Sequence, residues 1–122
     1  MASRTNILIT GTKTGIGHGL LNHYASLPRT TVVAAIRDAP GSGIAQEMIS
    51  SITSFGLDSR IIPLQYDASL TDSAEKLVDV LKADHPDVSH FDLVIANAAY
   101  NNQWGPLLSV LAGRQSVQSF CH

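Results

Sequence analysis

Short apolar runs alternate with longer amphipathic segments along this chain of 122 residues. Four runs are rich in β-branched and aliphatic residues and predict strands over residues 5–10, 30–36, 59–65 and 91–96. Strands that are covered on both faces show continuous apolar runs rather than strict alternation, so these runs favour a buried, parallel sheet. Pro63 weakens the third prediction, because proline donates no hydrogen bond to a strand ladder.

Three segments between those runs repeat apolar residues at spacings of three and four, which places these residues on one helical face. The predicted helices span residues 16–27, 43–55 and 71–83. Their apolar positions are Ile16, Leu20, Tyr24 and Leu27 in the first, Ile44, Met48, Ile52 and Phe55 in the second, and Ala74, Leu77, Val80 and Leu81 in the third. Pro28 ends the first helix, and Thr71 or Asp72 is the expected N-cap of the third.

The resulting order of elements, β-α-β-α-β-α-β, is typical of an α/β fold with right-handed crossovers. We expect a doubly wound parallel sheet in the strand order 3-2-1-4, with helices on both faces. The regular pattern fades after Ala96. With no further strand predicted to pair with it, "LVIANA" would form an exposed sheet edge, and such an edge favours self-association.

Composition and charge narrow the class of protein. Apolar residues make up 44% of the chain, which is too many for a disordered segment. A net charge of −2 without a basic, aromatic-rich patch argues against nucleic-acid binding, and no apolar stretch reaches the length of a membrane span. Cys121 is the only cysteine and the five histidines lack ligand spacing, so we expect no metal site. These features predict a cytoplasmic protein.

The segment "TGTKTGIG" (10–17) ends the first predicted strand and opens the first helix. In that position glycines make a tight turn, let the backbone approach a pyrophosphate, and let the helix pack against the strand. The helix N-terminus then offers free N–H groups to phosphates. A phosphate loop of the ATPase type requires Gly-x-x-x-x-Gly-Lys-Ser/Thr, and this motif fails because position 16 is isoleucine. The alternative is a flexible strand-to-helix turn.

The spacing Thr10-Gly-x-x-x-Gly-Ile-Gly17 resembles the glycine motif of the short-chain dehydrogenase/reductase family. Asn97-Ala98-Ala99 is similar to the family's Asn-Ala-Gly signature, although alanine replaces the usual glycine. Asp67 and Ala68, which follow the third strand, match the aspartate and small residue that lie beside the adenine ring. The resemblance covers residues 5 to about 110 and implies a Rossmann fold with a nicotinamide cofactor. Taken singly, the asparagine and the aspartate would also suit a turn or a helix cap.

The end of the second strand bears on the choice between NAD and NADP. NAD sites of this architecture usually carry an acid there, which bonds to the ribose 2′-hydroxyl. This chain has Ile36 followed by Arg37, whose guanidinium suits the 2′-phosphate of NADP, and Asp38 comes one position late. Lys13 either adds positive charge near that phosphate or points into solvent, since the family's basic residue usually stands at the position of Thr14. We favour NADP over NAD.

The resemblance therefore implies a set of cofactor-binding residues in four segments of the chain. They are Gly11, Lys13, Thr14, Gly15, Ile16, Gly17, Arg37, Asp67, Ala68, Asn97, Ala98 and Ala99. We place them in a truncated dinucleotide-binding domain at residues 1–106, and we interpret residues 107–122 as a divergent tail.

Catalytic residues are not assigned. In the family, catalysis rests on a Tyr-x-x-x-Lys pair with an upstream serine and an asparagine, but none of Tyr24, Tyr66 and Tyr100 has lysine four residues later. The resemblance implies an NADP-dependent reductase of a ketone or aldehyde, whose catalytic segment this chain lacks, so we expect the chain alone to be inactive. We favour a truncated or frame-shifted sequence over a genuine short C-terminal helix. The alternative function is a non-catalytic remnant or nucleotide-binding module.

Overall fold

The computed structural model describes residues 4–97 and 119–121. The strands are β1 (Thr5–Thr10), β2 (Thr30–Ile36), β3 (Arg60–Gln65), β4 (Leu93–Ala96) and β5 (Ser119–Cys121). The helices are α1 (Gly15–Ala25), α2 (Ile44–Ser50) and α3 (Ser73–Asp84), with a short 3-10 turn at Pro40–Ser42. Within these residues, no helix combines the length and apolarity needed to cross a membrane.

The five strands form one parallel sheet in the order β3-β2-β1-β4-β5. The predicted order 3-2-1-4 is confirmed. β1 is central and pairs with β2 on one side, with Thr5 opposite Thr30, and with β4 on the other, with Ile7 opposite Leu93. Ligands of doubly wound sheets bind where the strand order reverses, which is here beside the carboxyl ends of β1 and β4.

The expectation of an exposed β4 edge is wrong over Val94–Ala96. The backbone of β5 pairs with this stretch in parallel, with Val94 opposite Ser119 and Ala96 opposite Cys121. β5 comes from the segment that the sequence analysis assigned to a divergent tail. Three residues are too few for a periodicity argument to identify a strand, so only the pairing itself reveals it.

Side chains on the two faces of the sheet enter separate apolar clusters. All seven residues of β2 are buried, as the continuous apolar run predicts. On one face the cluster joins Leu8, Val33, Ile62 and Val94 to Leu77 and Leu81 of α3. On the other face Ile7, Ile9, Val32 and Ile95 pack with Leu21 of α1 and Met48 of α2. The sheet is thus covered by helices on both faces.

The buried face of α1 is shifted from the predicted one, although Leu20 and Tyr24 of the predicted face still pack, partly buried, against the core. Gly17, Leu21 and Ala25 face the core, whereas Ile16 is 67% exposed and Leu27 lies beyond the helix and is also exposed. Both sets of residues have the same four-residue spacing, so periodicity alone does not choose between adjacent faces. The close approach of the helix at Gly17, described below, makes the choice.

α2 ends at Ser50, five residues before the predicted end. The Ser51 hydroxyl donates to the Met48 carbonyl oxygen at 2.6 Å and closes the last turn. Farther along, the Gly56 N–H donates to the Ala25 carbonyl oxygen at 2.8 Å, so the chain leaves the helix to dock beside the end of α1. Phe55, predicted to be buried, is therefore 46% exposed.

α3 and β3 agree more closely with their predictions. In α3, Leu77 and Leu81 are buried as expected, but Val80 is exposed. Asp72 occupies the N-cap position without a side-chain capping hydrogen bond. Pro63 lies in β3, which pairs with β2 alone among the described strands, so the missing N–H is tolerated at this edge.

Candidate cofactor site

The glycine run connects β1 to α1 and takes a shape that specific glycines permit. Gly11 and Gly15 have φ values of 71° and 63°, in the left-handed region that favours glycine. A Cβ atom on Gly17 would lie 1.9 Å from the Gly11 carbonyl oxygen and 2.6 Å from Nδ2 of Asn97. Gly17 therefore lets α1 approach the end of β1, which is the packing role expected for the third glycine of a dinucleotide site.

Asn97 follows β4 and holds the glycine run from the neighbouring strand. Its backbone N–H donates to Oγ1 of Thr10 at 3.0 Å, and its side-chain Nδ2 donates to the Gly11 carbonyl oxygen at 3.1 Å. The predicted asparagine thus lies against the predicted loop. Ala98 and Ala99, assigned to the same signature, lie outside the described residues.

The N-terminus of α1 has the features of an anion site. Thr14 occupies the N-cap without a side-chain capping hydrogen bond, and the first turn carries no acidic residue. The space beside Gly15 is open, since a Cβ atom built there meets nothing within 4 Å. First-turn N–H groups and the positive end of the helix dipole face that space. The loop residues therefore fit a pyrophosphate group.

Thr12 holds the middle of the loop against Met48 of α2. It is fully buried, and its hydroxyl lies 3.2 Å from Sδ of Met48, directed at that sulfur. The sequence analysis assigned no role to Thr12, because nothing in the local pattern links it to a methionine 36 residues away. This contact fixes the loop against α2 and leaves its other face toward the strand ends.

A cavity of about 230 Å³ lies beside the loop, at the carboxyl end of β2. It is lined by Gly11, Lys13, Thr14, Ile36, Arg37, Asp38 and Tyr66. The structure thus brings the glycine loop together with Arg37 and Asp38 around one cavity. Lys13 is half exposed and lies with Nζ 3.2 Å from Oδ2 of Asp38, so it is paired rather than directed into solvent.

Arg37 and Asp67 face each other across neighbouring strand ends. Nε of Arg37 lies 3.9 Å from Oδ1 of Asp67, and the arginine side chain is 78% exposed. Gln65 donates to the carbonyl oxygen of Arg37 at 3.0 Å and fixes its backbone. Among the described residues the guanidinium is held by this long ion pair alone, which contributes little in solvent, so it can reach an anion in the cavity.

The Asp67 carboxylate is oriented by its own loop. Oδ1 accepts hydrogen bonds from Oγ of Ser69 at 2.6 Å and from the Ser69 N–H at 2.9 Å. The hydroxyl of Ser69 is the main cause that lowers the pKa of Asp67 below its usual 3.8, followed by the Ser69 N–H, with a smaller effect of Arg37. Ala68, which follows Asp67, is buried. Asp67 is therefore ionised and fixed as an acceptor.

Ser69 and Ser73 are site residues that the sequence analysis missed. Ser73 accepts the Asp67 N–H with its hydroxyl oxygen at 2.8 Å, so both serines orient the same aspartate. The signal for Ser69 was present, because an aspartate followed two residues later by serine is a common turn in which the carboxylate bonds to the backbone.

Tyr66 forms the floor of the cavity and is buried. Burial raises the pKa of its hydroxyl above the usual 10.0, and the neighbouring Asp67 charge raises it further. The phenol is therefore neutral at physiological pH.

In the part of the chain that the structure describes, no three His, Cys, Asp or Glu residues are grouped closely enough to hold a metal ion. A larger cavity of about 380 Å³ runs along α3 and includes Asp67 in its lining.

Comparisons with known proteins agree with this geometry. A family model described as short chain dehydrogenase matches residues 5–115. The norsolorinic acid ketoreductase of Aspergillus parasiticus is 35% identical over 102 residues, which are 84% of this chain and 36% of that protein.

Solved structures give the same picture. Menthone neomenthol reductase from Mentha piperita is 27% identical with a TM-score of 0.63, over 82% of this chain and 33% of that one. NADPH-bound carbonyl reductase from chicken fatty liver shares the fold at 19% identity and a TM-score of 0.68, over 93% of this chain and 49% of that one. The chain spans less than half of each of these proteins.

Proposed function

Since this chain belongs to the short-chain dehydrogenase family, we propose that it forms the NADP(H)-binding part of a reductase that acts on a ketone or aldehyde. The nicotinamide cofactor, when bound, supplies the hydride, and the residues of this chain bind and orient it. The chain covers about a third of the ketoreductase to which it is similar, so the activity is proposed for the whole protein.

One observation carries the proposal of a nucleotide site. The uncapped N-terminus of α1 faces open space beside Gly15, at the point where the strand order reverses. Gly17 and Asn97 fix this loop close to the carboxyl end of β1, so its N–H groups are preorganised for a phosphate. Such a loop at such a place is the common solution for binding a dinucleotide in an open parallel sheet.

Each part of the cofactor is assigned to residues of this chain. The glycine run would hold the pyrophosphate, and Asp67 with Ala68 would lie beside the adenine ring. Arg37, with Lys13 nearby, would receive the 2′-phosphate, because the exposed guanidinium lies at the mouth of the cavity. Asn97 would lie nearer the nicotinamide.

The proposed substrate class rests on the names of the similar proteins. One is a ketoreductase, one a menthone neomenthol reductase and one a carbonyl reductase. Each name describes the reduction of a carbonyl group, which supports a small-molecule ketone or aldehyde as the substrate. No described residue is assigned the role of proton donor, since neither Tyr24 nor Tyr66 is followed four residues later by lysine.

The test compares binding of NADPH and NADH by isothermal titration calorimetry. Arg37→Ala should weaken NADPH binding by about tenfold to a hundredfold, which corresponds to the loss of one charge-assisted contact, and should leave NADH binding nearly unchanged. Arg29→Ala is the matched control, because Arg29 is exposed and precedes β2 at the opposite end of the sheet. An equal loss for both cofactors would refute the 2′-phosphate assignment.

A non-catalytic nucleotide-binding module is the second candidate, because the binding elements are present and the tyrosine-lysine pair is not. The two functions would separate in an assay of NADPH oxidation, with a panel of ketones and aldehydes, by a longer protein that contains this chain, because both functions predict that the chain alone binds without catalysis. The 122-residue chain should bind NADPH without oxidising it. Steady oxidation that depends on the carbonyl would contradict this expectation.

A further inference from the structure

Asp38 places a negative charge inside the cavity that we assign to the 2′-phosphate. It directly follows Arg37 and lines the same cavity. Its Oδ2 atom is buried, and no described residue has a donor oriented to form a hydrogen bond with it. The Lys13 ammonium at 3.2 Å is the charge that balances it, through Coulombic attraction rather than through a well-aligned hydrogen bond.

We propose that Lys13 determines the cofactor specificity of this site by neutralising Asp38, which leaves Arg37 as the positive group available to the 2′-phosphate. This inference rests on the proposed function and specifies how its cofactor is chosen. The lysine acts mainly through the aspartate rather than as a phosphate ligand in its own right.

The charges of the cavity explain why neutralisation is needed. Arg37 and Lys13 are positive, and Asp38 is the negative group that lines the same cavity. The 2′-phosphate of NADP is an anion, so a bare carboxylate next to Arg37 would repel it. The same bare carboxylate would accept a hydrogen bond from the ribose 2′-hydroxyl, which is what the acidic residue of an NAD site does. The ion pair therefore keeps Asp38 from repelling the 2′-phosphate and from serving as an acceptor for the 2′-hydroxyl.

The arrangement also separates Asp38 from Asp67, the second carboxylate near Arg37. Asp67 is engaged through Oδ1 by two donors from Ser69 and belongs to the adenine side. Among the described residues, Lys13 is the cation that pairs with the buried oxygen of Asp38. Of these two carboxylates, Asp38 is therefore the one whose charge Lys13 balances. When the lysine charge is removed, Asp38 should become an acceptor for the ribose 2′-hydroxyl.

The test uses two fragments of the cofactor that differ only in the 2′ group, adenosine 2′,5′-bisphosphate and 5′-AMP. Their affinities for the full chain are measured by calorimetry, and the ratio isolates the contribution of the 2′-phosphate. The variants are Lys13→Gln, Asp38→Asn and the double variant. Lys76→Gln is the matched control, because it breaks a lysine–aspartate pair of 3.1 Å on the exposed side of α3.

Lys13→Gln should lower the ratio by about tenfold, the change that about 1.4 kcal/mol of interaction produces, and should strengthen binding of 5′-AMP. The double variant should recover the ratio to within about threefold of the unmodified chain, because the uncompensated carboxylate is gone. Lys76→Gln should leave the ratio unchanged. The strengthened binding of 5′-AMP in Lys13→Gln, and its loss in the double variant, is a result that a lysine acting only as a phosphate ligand would not give.

Three outcomes would overturn the inference. If the double variant has a ratio as low as Lys13→Gln, the lysine contacts the phosphate by itself and Asp38 plays no part. If Lys13→Gln leaves the ratio unchanged while both fragments bind, the ion pair does not set specificity, although the proposed function stands. If the unmodified chain, with its fold verified by circular dichroism, binds neither fragment and neither NADPH nor NADH, the inference and the proposed function both fail.

Discussion

Gly17→Ala should destabilise this chain, whereas the same change at Gly19 of the same helix should not. The Cβ atom at position 17 would lie 1.9 Å from the Gly11 carbonyl oxygen and 2.7 Å from its carbon, and both are backbone atoms that no rotamer change can move. It would also lie 2.6 Å from Nδ2 of Asn97. At Gly19 an added Cβ meets nothing within 4 Å.

The size of the effect follows from three contributions. Forcing a methyl group into a packed contact costs about 1–3 kcal/mol. Displacing Asn97 breaks its hydrogen bond to the Gly11 carbonyl oxygen, which contributes about 1 kcal/mol. Alanine recovers about 0.5–1 kcal/mol over glycine through its helix propensity. Gly17→Ala should therefore lower the free energy of unfolding by about 1–3 kcal/mol, and Gly19→Ala should raise it by about 0.5–1 kcal/mol.

Urea unfolding followed by far-ultraviolet circular dichroism measures both variants against the unmodified chain. The free energies of unfolding should differ between the two variants by about 1.5–4 kcal/mol, which is a large share of the stability of a small domain. Equal midpoints would refute the argument, because the two glycines lie in the same helix and only the Cβ atom at position 17 would meet packed backbone atoms.

Two further predictions concern regions on either side of the site. Gly56→Ala places a Cβ atom 2.1 Å from the Leu27 carbonyl oxygen, at the end of the sheet opposite the site. Urea unfolding should therefore show that the free energy of unfolding falls by about 1–3 kcal/mol. Calorimetry should show that the folded chain binds NADPH with unchanged affinity. An affinity loss would contradict this separation. Ser69→Ala should return the pKa of Asp67 toward its usual 3.8. The lowered pKa of Asp67 stabilises the folded chain above pH 3.8, and this stability is lost as the pH falls through the pKa of the folded state. The unmodified chain should therefore lose stability more steeply in acid than Ser69→Ala. Parallel plots of the urea-unfolding free energy against pH would contradict the assignment.

Strand positions were predictable because their cause is local. β1 and β2 have the bounds that the sequence analysis gave, since both are unbroken runs of residues that suit a buried strand. Helix ends and faces were less predictable. The apolar period of α2 continues through Ile52 to Phe55, but the docking of Gly56 beside α1 ends the helix early. That contact joins segments far apart in sequence, and no local pattern records it.

The sheet edge illustrates the same limit. The sequence predicted four strands and left β4 as an edge, whereas the structure pairs it with Ser119–Cys121. Pairing in a sheet forms hydrogen bonds between backbone N–H and C=O groups, which nearly every residue carries. A short strand can therefore pair without a characteristic side-chain pattern. Its partner is chosen by where the fold brings the chain, which the three residues themselves do not encode.

The sequence by itself determined the strand-to-helix turn at residues 10–17, because glycine alone readily adopts the backbone angles found at Gly11 and Gly15. Only the tertiary structure decided which side chains form hydrogen bonds and ion pairs at that turn. Asn97 reaches Gly11 from 86 residues away, and Lys13 pairs with Asp38 from the next strand. Both contacts exist because a parallel sheet gathers the carboxyl ends of its strands at one edge, and the order of strands, rather than distance along the chain, sets which ends are neighbours.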